Sequence, residues 1–174
     1  LLPLAAAMLV APASHAQWTV TPSVSLLETY TDNVDLRDDD QANAQWITEV
    51  RPSVAVSGDS RRLKVDAFAS WNQFVYSDKD KVLDPIDSQL RYSGSLQGTL
   101  VDQMLYVDAR ATRSKQSVLP FGPGAEGNRY SNYNQTDVKT WSISPYLVRR
   151  LGRDATMQVR YTRDSVDSGL ERLF

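Results

Sequence analysis

The chain has 174 residues, nineteen Lys and Arg against twenty-one Asp and Glu for a net charge of −2, no cysteine, and one histidine, His15. Beyond residue 16 this excludes Ser-His-Asp and Cys-His nucleophilic centres, thiolate clusters and histidine-ligated zinc or haem, and a near-neutral chain without a basic cluster gives nucleic acid no footing. Hydrophobic residues make up 41% of the whole, but twelve of them fall in the first sixteen positions, so the remainder is lean for a water-soluble core.

Residues 1–16 have the pattern of a partial signal peptide. An apolar run from Leu1 to Ala11 is followed by Pro12, and Ser14 and Ala16 stand at −3 and −1 of a cleavage site that leaves Gln17 first. The run is too short to cross a bilayer as a helix, and no later stretch approaches the roughly 18 apolar residues required. An exported protein is expected.

From Trp18 onward the dominant period is two, which puts alternate side chains on opposite faces of a strand. The first segment sets Trp18, Val20, Pro22, Val24 and Leu26 against Thr19, Thr21, Ser23 and Ser25. A long polar connection, residues 31–45, precedes a second segment with Trp46, Val50, Pro52, Val54 and Val56 opposite Glu49, Arg51, Ser53 and Ser57. After a tight break around residues 58–61, where Gly58-Asp59 has turn chemistry, Leu63, Val65, Ala67, Ala69 and Trp71 alternate with Lys64, Asp66, Ser70 and Asn72, with Phe68 interrupting the polar row. Residues 77–87 form the next long connection. The fourth segment is the cleanest, with Leu90, Tyr92, Gly94, Leu96, Gly98 and Leu100 against Arg91, Ser93, Ser95, Gln97 and Thr99.

A short break at 101–103 leads to Leu105, Val107, Ala109 and Ala111 against Tyr106, Asp108, Arg110 and Thr112. The long connection 115–137 follows. The sixth segment sets Trp141, Ile143, Pro145 and Leu147 against Thr140, Ser142, Ser144 and Tyr146. Beyond the turn Gly152-Arg153-Asp154, the seventh alternates Ala155, Met157, Val159 and Tyr161 with Thr156, Gln158, Arg160 and Thr162.

Short and long connections alternate along the chain, as they do in an outer-membrane barrel with short periplasmic turns and long external loops. The expected fold is therefore all-β: a transmembrane antiparallel β-barrel of the outer-membrane type, with residues 17–174 as the N-terminal part of its domain. Seven strands are visible, and because single-chain barrels have an even number from eight upward, a larger barrel is expected. The seventh strand would leave residues 164–174 outside as loop-like sequence, and Phe174 is not read as a closing aromatic. Hydrocarbon cannot hydrogen-bond an open sheet edge, so the sheet must close with its apolar side outward. Glu49, Arg51, Lys64, Asp66, Arg91, Asp108, Arg110 and Arg160 share the polar parity and are the expected lumen-facing residues. On the other side, each Arg or Lys at mid-bilayer would cost about 2–4 kcal/mol.

Trp18, Trp46, Trp71, Trp141, Tyr92 and Tyr161 are candidates for an aromatic girdle. Glu28, the charged exception in the apolar row, lies beside the first long loop. Pro22, Pro52 and Pro145 each remove a ladder donor and are expected at bulges or strand ends.

Three groupings are read as loop rather than as sites. Asp32, Asp35, Asp38, Asp39 and Asp40 do not have the spacing of a calcium-binding hand, and are expected to form a solvated, self-repelling loop. Residues 120–127, Pro-Phe-Gly-Pro-Gly-Ala-Glu-Gly, lack the Lys-Ser/Thr of a phosphate loop. Asp78/Asp80 and Asp84/Asp87 have no fixed separation for acid-base hydrolysis. No catalytic residue, cofactor or metal is expected.

The stretch Trp18-Thr-Val-Thr-Pro-Ser-Val-Ser-Leu-Leu-Glu-Thr-Tyr-Thr-Asp-Asn-Val-Asp-Leu36 resembles the opening of the outer-membrane protein family associated with PEP-CTERM sorting and exopolysaccharide systems, Glu28-Thr-Tyr-Thr-Asp-Asn33 being its most specific part. Ile47 through Gly58, followed by Arg62-Leu-Lys-Val-Asp66, is similar to that family's second and third strands. Asp35 stands where a more apolar residue is the rule. The resemblance implies a many-stranded barrel in the outer membrane of a Gram-negative, exopolysaccharide-producing cell, in contact with lipid and with exopolysaccharide or export-system proteins. It implies a conduit or structural component, and no enzyme. Two alternatives stand beside it: a soluble secreted β-sandwich that binds a ligand, and an outer-membrane enzyme whose catalytic residues lie in a C-terminal part beyond this chain.

Overall fold

The computed structural model describes residues 17–36, 39–118, 129–132 and 134–169. Residues 1–16, expected to be part of a signal peptide, the glycine-rich stretch 120–127, Asp38 and Phe174 lie outside the described residues.

The fold is all-β. Strands β1 (Gln17–Thr31), β2 (Gln45–Asp59), β3 (Leu63–Tyr76), β4 (Ser88–Val101), β5 (Leu105–Ser117), β6 (Gln135–Leu151), β7 (Ala155–Arg160) and β8 (Arg163–Ser168) form one antiparallel sheet. Each strand from β1 to β7 pairs with the next in sequence, and β8 pairs with β6. All seven expected segments are strands. The sheet is not closed: among the described residues, β1 and the β7–β8 side are both unpaired edges.

β8 corrects the expectation that the chain is loop-like from residue 164. β7 pairs with the tight-turn half of β6 (Tyr146↔Arg160) and β8 with its other half (Ile143↔Arg163), in one continuous register. The two are a single line interrupted at Tyr161–Thr162. Opposite the interruption stands Pro145, whose carbonyl accepts from Tyr161 N–H at 3.0 Å. Proline has no N–H with which to return the bond, so the ladder loses one rung there. Pro52 acts similarly between β2 and β3, where the pairing passes from Val50↔Gln73 to Ser53↔Ser70.

The tight connections are Ser60–Arg62, Asp102–Met104 and Gly152–Asp154, all at one end. Gly152, at φ +75°, occupies the left-handed region that favours glycine. Gly58, expected in a turn, is instead inside β2 opposite Trp18. A Cβ there would lie 2.4 Å from the indole Cε3, so the glycine makes room for the ring.

Registration separates two faces. Trp18, Val24, Leu26, Trp46, Val54, Trp71, Leu90, Trp141 and Val159 share the outer one, where exposure reaches 72% at Leu26 while Val56, Val65, Leu96, Val107 and Leu147 are half-buried. The inner face is built mainly from Ser and Thr, with the buried residues concentrated at its long-loop end. Thr19 and Thr21 of β1, Asp66 of β3, Ser95 of β4, and Arg110 and Thr112 of β5 surround one cavity of about 460 Å³, so the sheet curls toward this face. Small hydroxyl side chains fit the crowded concave side, and bulky ones the convex side. Phe68 and Val166 are exposed apolar departures on the inner face.

Candidate functional site: the concave polar face

All eight sequence-selected charged residues lie on the concave face. Glu49 is held on β2 between Leu27 of β1 and Phe74 of β3 and is 1% exposed. Burying a carboxylate is costly unless it is paired and hydrogen-bonded. Here Asn72 Nδ2 donates to Oε1 at 2.9 Å, Arg129 donates to Oε2 at 3.1 Å, and Arg51 Nε lies 3.6 Å from Oε1. Arg51 Nε also donates to Ser25 Oγ at 3.2 Å, tying β2 to β1.

A second cluster occupies the tight-turn end. Arg160 donates to Asp108 at 2.9 Å, and its guanidinium lies 4.1 Å from the centroid of Tyr146. Tyr146 stacks on Tyr106, with ring centroids 5.1 Å apart and planes 17° apart. Tyr106, Asp108, Lys64, Gln97 and the β2–β3 turn enclose a cleft of about 270 Å³. Asp66 and Arg110 line the larger central cavity. Arg91 stands opposite Ser70, and its Nε is buried without a hydrogen-bond partner among the described residues. The fold thus joins Glu49 with Arg51 and Asp108 with Arg160. Lys64, Asp66, Arg91 and Arg110 remain separate points on one surface.

Between the clusters, hydroxyls face each other across strands. Ser23 and Ser53 are 2.6 Å apart, Thr112 and Thr140 2.6 Å, and Ser144 and Thr162 3.0 Å. The last pair bridges the β7–β8 interruption. Such rungs supply both donors and acceptors to water or a polar solute.

The long-loop end is capped. Val34 from the first loop, Val82 and Ile86 from the second, and Tyr130 from the third pack on Ile47, Phe74 and Tyr76 of the wall. Tyr76 Oη is 2.7 Å from the carbonyl oxygen of Ile86 and 2.6 Å from that of Tyr130. Its one proton serves one of them at a time. Ile86 N–H donates to the Tyr130 carbonyl, Asn132 N–H to that of Asp84, and Pro85 bridges Ser131. Tyr130 Oη approaches Thr29 of β1 at 3.1 Å.

This overturns the expectation of Asp35 as part of a solvated, self-repelling loop. Asp35 is buried and accepts the Leu83 N–H at 3.0 Å. Asp78 and Asp87 are held by Lys81 at 2.8 Å and Lys79 at 2.7 Å. The hydrogen bond from Lys81 to Asp78 raises that ammonium's pKa above its ordinary value. Glu28, on the convex face, accepts from Thr48 Oγ1 at 2.8 Å.

Sequence reasoning missed Arg129, Asn72, the Tyr106–Tyr146 stack and the loop cap. The stack had a signal, since both tyrosines stand in the polar parity of consecutive strands. Arg129 had none, being 80 residues from Glu49 and in an aperiodic segment.

Compared with known proteins, the chain matches no family model, no curated protein sequence and no solved structure.

Proposed function

We propose that this chain forms the wall of an outer-membrane β-barrel, its convex face against lipid and its concave face lining a polar lumen, and that it serves exopolysaccharide export or protein sorting as a conduit or structural component. One observation carries the membrane reading: the burial order is inverted, with Leu26 72% exposed outside and Glu49 1% exposed inside. Water-soluble monomers rarely expose contiguous apolar patches larger than a few hundred Å², and among the described residues nothing covers the convex face. In a bilayer that face is satisfied by acyl chains. Closure then follows from the backbone, because unpaired edges such as β1 cannot persist in hydrocarbon. Further strands complete the ring.

The link to exopolysaccharide and sorting systems rests on the resemblance of Trp18 to Leu36 to that outer-membrane family. The capped long-loop end favours a gated conduit over a permanently open pore. Cell fractionation with heat-modifiable migration in detergent electrophoresis tests the wall: outer-membrane recovery with a migration shift is expected, and recovery as soluble folded protein overturns it. Conductance in planar bilayers tests the conduit, which a barrier closed under every condition would defeat.

A further inference from the structure

Toward the long-loop half of the convex face, charge gathers on β5, β6 and β8. β2, β3 and β4 put no charged residue on that face and β1 only Glu28, whereas β5, β6 and β8 present Arg113, Lys115 and Lys139 with Asp137 and Asp167, and Arg163 opposite Ile143; Arg149 stands apart, near the tight-turn end of β6. Tyr92, Arg113, Lys139 and Asp167 lie opposite one another in a single row. Arg113 donates to Asp137 at 3.1 Å, Lys139 is 3.9 Å from Asp167, and the Arg163 guanidinium lies 5.8 Å from the Trp141 ring centre. Immediately toward the tight-turn end is an apolar dip of about 210 Å³, floored by Ala67, Ala69, Gly94 and Ala111 and edged by Val54 and Tyr92. Ala111 is two residues from Arg113 on the same strand and face.

Resting on the membrane-wall reading, we infer that this is a site for a phosphate-bearing lipid, with an acyl chain in the dip and the headgroup phosphate on Arg113, Lys139 and Arg163. Small side chains create a trough where the neighbouring wall is bulky, and the trough runs up to the cations. Arginine forks and a lysine point charge suit phosphate oxygens. Tyr92 stands in the row of Arg113 and Lys139 and Trp141 one row nearer the tight-turn end, and amphipathic rings are favoured where the wall meets headgroups. Asp137 and Asp167 orient Arg113 and Lys139, and with Lys115 opposite Asp137 the group keeps a net positive charge. In the barrel orientation this end faces the outer leaflet, so the ligand is a phosphorylated glycolipid.

The test uses the folded full chain in maltoside micelles, which contain no phosphate. A diphosphorylated glycolipid and its dephosphorylated form, with identical acyl chains, are added, and retained lipid is counted by native mass spectrometry. The phosphorylated form is expected to be retained preferentially. Each basic group near an anionic surface contributes about 1 kcal/mol, so Lys139→Gln with Arg163→Gln, both exposed positions, lowers retention at least about 10-fold. Ala111→Phe, which fills the dip, lowers it for both lipids. Equal retention of the two lipids, or no effect of the charge substitutions in a protein that keeps its heat-modifiable migration, overturns the lipid site and leaves the wall intact. Recovery of the chain as a soluble protein overturns both.

Discussion

Arg129 donates a hydrogen bond to Glu49 across 80 residues of sequence, at 3.1 Å, fastening the third long connection to the inner wall of β2. Glu49 has no other way to keep its second oxygen satisfied in the described structure, because Asn72 serves the first. Removing one partner of a buried ion pair costs about 3–5 kcal/mol. Glu49→Ala is therefore expected to lower the temperature of the heat-modified migration shift substantially, and Glu49→Gln, which keeps an acceptor for Asn72, to lower it less. Equal loss in both variants would argue against the charge as the important element.

The cap has a second fastening in Tyr76. Tyr76→Phe removes the hydroxyl between the Ile86 and Tyr130 carbonyls, at a cost of about 1–2 kcal/mol for a lost buried hydrogen bond. The ring stays to fill the hydrophobic cluster, so the wall is expected to fold while amide exchange at Ile86 and Asn132 speeds up. In planar bilayers the same variant is expected to spend more time conducting than the wild-type protein.

The two faces differ most under a charge scan. Arg replacing Leu96 on the convex side faces lipid and is expected to cost about 2–4 kcal/mol in vesicle-unfolding measurements if it lies near the midplane. Arg replacing its neighbour Ser95, which lines the central cavity of the concave face, is expected to change little. Similar costs at both positions would refute the assignment of one face to lipid.

Gly58 and Trp18 form a size pair. Gly58→Leu drives a side chain into the indole and is expected to cost about 1–3 kcal/mol by overpacking. Trp18→Ala in the same chain should recover most of that loss, measured as a coupling energy between the two positions by thermal unfolding.

Pro145→Ala restores the N–H absent opposite Tyr161. One intramolecular hydrogen bond is worth about 0.5–1.5 kcal/mol net, partly offset by the greater freedom of the unfolded chain. The expected result is slower hydrogen exchange through Tyr161 and Thr162, with β7 and β8 behaving as one strand.

Alternation made the strands legible because a period of two is a local property that needs no knowledge of neighbours. It also put Glu49, Arg51 and Asp108 on a common face before any register was known, since adjacent strands in an antiparallel sheet preserve face parity. It failed at Gly58, where turn chemistry competed with a cross-strand ring that lies forty residues earlier in the chain. It failed again after Thr162, where Ser, Asp and Arg resemble a loop in composition yet continue the β6 ladder.

The sequence by itself determined an all-β chain with one apolar and one polar face and with its long connections at one end, because side-chain direction and turn residues are set within a few positions. Only the tertiary structure decided that the polar face is concave, that Arg129 reaches Glu49, that Asp35 is buried beneath Leu83, and that three loops interlock over the inner wall. Those contacts join segments with no shared periodicity, and their geometry depends on how far the sheet curls, which no single strand encodes.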